Sequence, residues 1–84
     1  GGGELVLVVD DEASILTAAR VVLEAGGYRV STAGSGDEAV ELFRQCADRV
    51  AVVVLDMMMP GKDGPAVMAE MRAIRPDVVV LAAS

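Results

Sequence analysis

The chain has no histidine and no tryptophan, and only one phenylalanine, one tyrosine, one cysteine and one lysine among 84 residues. Each shortage closes off a class of protein. A single cysteine, Cys46, forms no internal disulfide; on the apolar side of an expected helix it reads as a buried, inert thiol, which suits a reducing cytoplasm. With aromatics at 2%, the core has to be built from Val, Leu, Ala and Met. Seven Lys and Arg against thirteen Asp and Glu leave a net charge of −6 and no basic cluster. Neither nucleic acid nor an anionic membrane is therefore expected as a direct partner, since phosphate neutralisation by Lys and Arg drives both. No apolar run approaches the roughly 18 residues of a membrane span, and no basic segment precedes the first one as in a signal peptide. The run Met57-Met58-Met59 has no Cys or His beside it to complete a soft-metal site, so packing and loop geometry account for it.

What is present is apolar and periodic. The hydrophobic fraction is 54%, as a sheet sandwiched between helices requires, in a chain long enough for one domain at most. A chain of this size buries only about 60 to 65% of its extended surface, so its stability margin is small. Val50 to Leu55 is β-branched and without polar alternation, the pattern of a parallel strand covered on both faces. Leu5 to Val9 and Val78 to Ala82 are two further apolar runs, while Tyr28 to Thr32 alternates, placing Tyr28, Val30 and Thr32 on one face of a half-exposed edge strand. Asp11 or Glu12 can cap a first helix that stops near Gly26-Gly27, with Ile15, Ala19 and Val22 beside Leu16 and Leu23 at helical spacing. Ser35 and Glu38 have the form of a capping box for a second helix, whose buried stripe is Ala39, Leu42, Phe43 and Cys46. Pro60-Gly61 makes a turn, and Pro65 opens a third helix running to about Ile74, before Arg75-Pro76. Strands alternating with helices predict an α/β doubly wound domain over residues 4–84, with residues 1–3 a flexible linker or a cloning scar.

The acids fall where such a sheet binds ligands. Open parallel sheets do so outside the carboxyl ends of their strands, and Asp56 is the only acid of its run, at its exit. Leu5 to Val9 likewise ends in Asp10-Asp11-Glu12. If the two strands are parallel neighbours, Asp10, Asp11 and Asp56 converge on one small volume. Like charges that close cost free energy unless a cation neutralises them, and an all-oxygen site suits a hard divalent ion such as Mg²⁺. Taken singly, Asp56 also reads as a solvated strand-end acid and Asp11 as an N-cap, but capping does not explain why Asp10 is acidic as well. At the same edge Val78 to Ala82 runs on to Ala83 and Ser84, adding a hydroxyl.

The motifs VVDDE (8–12), LDMMMPGKDG (55–64) and VVVLAAS (78–84), in that order, resemble the receiver domain of a bacterial response regulator or hybrid sensor kinase, over Glu4 to Ser84. The resemblance implies a flavodoxin-like fold with strand order 2-1-3-4-5, which puts the alternating strand at Tyr28 on the sheet edge. It implies that Asp56 accepts a phosphoryl group from a kinase phosphohistidine, with a histidine kinase or phosphotransfer domain as partner. Asp11 would be a direct Mg²⁺ ligand, Asp10 would act largely through water, and the third protein ligand would be the Met58 backbone carbonyl. Ser84 matches the hydroxyl that hydrogen-bonds the new phosphoryl oxygens, and Pro60 with Gly64 matches the turn into the third helix. The implied role is that of a signalling domain rather than an enzyme.

A complete receiver continues past the Ser84 position with a helix, a fifth strand bearing a Lys, an aromatic switch residue and a last helix. The 84 residues stop before these, and Lys62 does not correspond to that Lys. The expected fold is therefore one truncated after the fourth strand, and the alternative function is a non-phosphorylatable receiver-like interaction module. Without a fifth strand, Val78 to Ala82 becomes an apolar sheet edge lacking the charges, prolines or bulges that block pairing, which predicts self-association through this strand. A phosphatase of the haloacid dehalogenase type would need a second acid two residues after Asp56, where Met58 stands. A flavin or dinucleotide binder would want glycines after the first strand, where Asp10-Asp11-Glu12 would repel a phosphate.

Overall fold

In the computed structural model, which describes residues 3–61 and 63–83, the three apolar runs and the alternating stretch form strands and the three stretches of helical spacing form helices. Their order is β1 (Leu5–Val9), α1 (Ala13–Ala25), β2 (Arg29–Ala33), α2 (Gly36–Cys46), β3 (Val50–Asp56), α3 (Gly64–Ile74) and β4 (Val80–Ala83). The strands form one parallel sheet in the order β2-β1-β3-β4, in agreement with the expected doubly wound arrangement. Two cores follow from the two faces of the sheet. On one, Leu7, Val9, Val53 and Leu55 pack with Phe43 of α2 and with Val67 and Met71 of α3. On the other, Val6, Val8 and Val30 pack with Leu16, Ala19 and Leu23 of α1.

The expectation that β3 is covered on both faces holds for one face only. Val53 and Leu55 are fully buried, whereas Val52 and Val54 are half-buried, because α1 packs chiefly over β2 and β1. The expected apolar side of α1 divides in the same way. Leu16, Ala19 and Leu23 reach the sheet, but Ile15 and Val22 are 43% and 69% exposed. Two apolar stripes run side by side on this helix, and one sheet face can dock only one of them.

The helix starts show how local chemistry sets each boundary. Neither Asp11 nor Glu12 caps α1 with its side chain: Glu12 occupies the N-cap position, and its own N–H donates to Asp10 Oδ1 at 2.9 Å. For α2, Ser35 Oγ accepts the Glu38 N–H, while Glu38 Oε1 reaches back to accept the Gly34 N–H at 2.6 Å. For α3, Asp63 Oδ1 accepts the Ala66 N–H and Pro65 fills the first turn. Cys46 is buried as expected; its thiol donates to the Leu42 carbonyl, and burial raises its pKa.

Strand limits shift by a residue or two from expectation, with β2, β3 and β4 each ending one residue later and β2 and β4 also starting later. Tyr28 lies just before β2, which starts at Arg29. Val78 is buried but precedes β4: its N–H donates to the Arg75 carbonyl in the turn after α3 rather than to a strand. The strand itself runs Val80–Ala83 at the margin of the sheet, with Leu81 exposed.

Candidate functional site

Register brings the acids together. β1 and β3 are parallel neighbours with Val9 opposite Leu55, so the next residue of each strand, Asp10 and Asp56, emerges side by side at the carboxyl edge. Asp10 extends the ladder on the other side, its N–H donating to the Ala33 carbonyl at the end of β2. Asp56 pairs with Ala83 of β4, and the Met57 N–H donates to the Ala83 carbonyl at 2.9 Å. Each of Asp10, Asp11 and Asp56 offers a carboxylate oxygen within 4.8 Å of those of the other two. Asp10 and Asp56 are half-buried and Asp11 is exposed.

The two half-buried carboxylates are held by backbone donors two residues downstream. Asp56 Oδ1 accepts the Met58 N–H at 2.9 Å, as Asp10 Oδ1 accepts that of Glu12. These Asx-type bonds orient each carboxylate without neutralising it. At 4.8 Å two unit charges repel by about 1 kcal/mol in water and by about 3 kcal/mol at the effective dielectric constant of a protein surface. Such repulsion disfavours bringing the three carboxylates closer together, and a divalent cation among them would offset it. The donors are oxygens alone, which fits Mg²⁺ rather than a soft metal.

The acids line a cleft of about 340 Å³, shared with Glu12, Ile15, Met58 and Ala83. Ile15 and Glu12 had no expected place in the site. The motif Asp10-Asp11-Glu12 contained a signal for Glu12, but Ile15 shares its spacing with the core residues of α1 and carries none. Met58 borders the cleft and is 77% exposed. Ser84 and Lys62 lie outside the described residues, although Ser84 directly follows Ala83, which lines the cleft. Behind the acids, a close approach fixes the loop: a Cβ on Gly64 would stand 2.7 Å from Met57 Cα, so only glycine lets α3 begin there.

With this geometry, the comparisons with known proteins agree on one family. Residues 6–84 match the model of the response regulator receiver domain, and the chain belongs to that family. It is 38% identical over 77 residues to the sensor kinase CckA of Brucella abortus, covering 92% of this chain and 8% of that protein. It is 49% identical over 69 residues to the probable transcriptional regulator ycf27 of Guillardia theta, covering 82% of this chain and 26% of that one. Among solved structures, the response regulator TrrA of Thermotoga maritima in complex with Mg(2+)-BeF superposes with a TM-score of 0.84 at 35% identity, covering 96% of this chain and 70% of that one. The chain thus spans about a quarter or less of the length of these two curated relatives. The family is a signalling domain of two-component systems. Among the described residues no helix is long and apolar enough to cross a membrane.

Proposed function

We propose that this chain is the phosphoacceptor of a two-component phosphorelay, with Asp56 receiving the phosphoryl group from a kinase or phosphotransfer-domain phosphohistidine. The observation that carries the reading is the convergence of Asp10, Asp11 and Asp56 within 4.8 Å at the carboxyl edge of β1 and β3. The family and a relative named as a sensor kinase support the donor class. In the transfer, an Asp56 carboxylate oxygen attacks phosphorus in line, the P–N bond to histidine breaks, and the imidazole keeps the electron pair and takes up a proton. The Met58 N–H holds the Asp56 carboxylate in one orientation while it attacks.

Asp11, Asp56 and the Met58 carbonyl would hold Mg²⁺ directly, and Asp10 through water. The bound ion would supply charge neutralisation between carboxylate and phosphate. The relative crystallised with Mg(2+)-BeF supports this choice of ion. Ser84 would donate its hydroxyl to a phosphoryl oxygen, one residue beyond the Ala83 that pairs with Asp56. On this reading the domain transfers a group to itself and is not an enzyme in the usual sense.

The test is incubation with Mg²⁺ and a small phosphoryl donor, read by intact mass. One phosphoryl adduct on the chain and none on Asp56→Asn is the expected result. Ser84→Ala should keep metal binding and alter the adduct's lifetime. No adduct, with a phosphorylated histidine kinase as donor as well, would overturn the reading in favour of a non-phosphorylatable interaction module.

A further inference from the structure

The five methionines of the chain are not equivalent. Met71 and Met59 are buried, at 0% and 5% exposure, and Met57 and Met68 pack against the main core. Met58 is 77% exposed and lines the acid cleft. Thioether oxidation needs an oxidant to reach sulfur from solvent, so exposure decides which methionine reacts. Only the Met58 side chain joins ready access to a position beside the three carboxylates.

We propose that Met58 is a site of reversible oxidation by hydrogen peroxide, and that its sulfoxide changes the cation affinity of the acid cleft. The sulfur lone pair attacks one peroxide oxygen, the O–O bond breaks, and an S–O bond forms. The departing hydroxide takes a proton and leaves as water, so the sulfur loses two electrons and the peroxide gains them. An apolar thioether becomes a polar group whose oxygen is a hard acceptor.

The consequence at the cleft follows from its charge. Asp10, Asp11 and Asp56 already attract cations, and the negative end of the S–O dipole at the same rim adds to that field. The sulfoxide oxygen also offers a neutral hard ligand or an acceptor for a metal-bound water. Cation binding tightens, while a phosphate-bearing donor meets a more negative entrance. The first half of the proposal stands on exposure alone; the coupling to the cleft rests on the metal reading under Proposed function.

The experiment treats the whole chain with graded hydrogen peroxide and follows each methionine by peptide mass mapping. Backbone amide resonances of Asp10, Asp11 and Asp56 then report a Mg²⁺ titration before and after oxidation. Met58 should oxidise about tenfold faster than Met59 and Met71, as its exposure requires. The Mg²⁺ midpoint should fall by about threefold on oxidation, the scale of one added dipole at a partly solvated site. Methionine sulfoxide reductase should restore both mass and midpoint, and Met58→Leu, which keeps the backbone carbonyl, should make the midpoint insensitive to peroxide. Equal rates at all five methionines would overturn the modification site. An unchanged midpoint with Met58 fully oxidised would overturn the coupling. Absence of Mg²⁺ binding before oxidation would overturn the metal reading and the coupling together, while the mass data would still decide the modification site.

Discussion

Gly64→Ala tests how the loop behind Asp56 is held. The added methyl carbon would stand 2.7 Å from Met57 Cα and closer still to the Met57 thioether. The thioether can rotate away, but the Cα cannot, so either the Met57 backbone or the first turn of α3 has to move by about 1 Å to restore van der Waals contact. Moving Met57 pulls on two bonds of 2.9 Å, its own N–H to the Ala83 carbonyl and the neighbouring Met58 N–H to Asp56 Oδ1. Moving α3 instead disturbs the Asp63 cap on Ala66 and the fully buried Val67. Overpacking of this kind costs about 1 to 3 kcal/mol, and one weakened hydrogen bond adds about 1 kcal/mol. For a chain of 84 residues the total stability is about 4 to 13 kcal/mol, so the loss is a large part of it. Urea unfolding followed by circular dichroism should show a lower midpoint with an unchanged slope. Gly61→Ala is the contrast: nothing lies within 4 Å of its added carbon, but its φ of +79° costs a non-glycine residue about 1 kcal/mol. A Gly64→Ala midpoint equal to wild type, or a smaller loss than for Gly61→Ala, would refute the close-approach argument.

Three further outcomes are expected. Asp11→Asn should abolish detectable Mg²⁺ binding by NMR titration, whereas Met58→Ala should preserve it because the ligand is backbone; loss in Met58→Ala with the fold intact would refute the ligand assignment. Cys46 has its pKa raised from 9.0 chiefly by burial, so the folded state holds the thiol neutral. The unfolded thiol ionises first on raising pH, so this contribution to stability is complete below pH 9 and is lost as pH rises toward the folded pKa. Urea midpoints of wild type and Cys46→Ala should therefore converge above pH 9, and parallel curves would refute it. A polypeptide of these 84 residues and no others would present β4 at the sheet margin, with Val79 and Leu81 more than half exposed and no charge from Val78 to Ala83. Such a chain should self-associate through that strand in concentration-dependent sedimentation, and a monomer at high concentration would refute the pairing.

Much of the candidate site is legible in the sequence, because its residues sit at the ends of apolar runs and a strand's end is a one-dimensional feature. Val9-Asp10-Asp11 and Leu55-Asp56 are each an apolar run stopped by acid, and a parallel sheet can only present such ends on one edge. Ser35, Glu38 and Pro65 were equally readable, since capping and helix-start chemistry act over three or four residues.

Tertiary structure alone decided which residues, equivalent in the local pattern, meet one another and which meet solvent. Asp10 and Asp56 lie 46 positions apart in the chain, and only the side-by-side register of β1 with β3 brings their carboxylates together with that of Asp11. Periodicity states that Ile15, Leu16, Ala19, Val22 and Leu23 share one side of a helix, yet it is silent on the rotation of that helix about its axis. Docking over β2 and β1 chose Leu16, Ala19 and Leu23, left Val22 in solvent and put Ile15 at the rim of the acid cleft. The run Met57-Met58-Met59 made the same point in three residues. Identical side chains became a packed one, an exposed one and a buried one, because the turn after β3 aims each in a different direction.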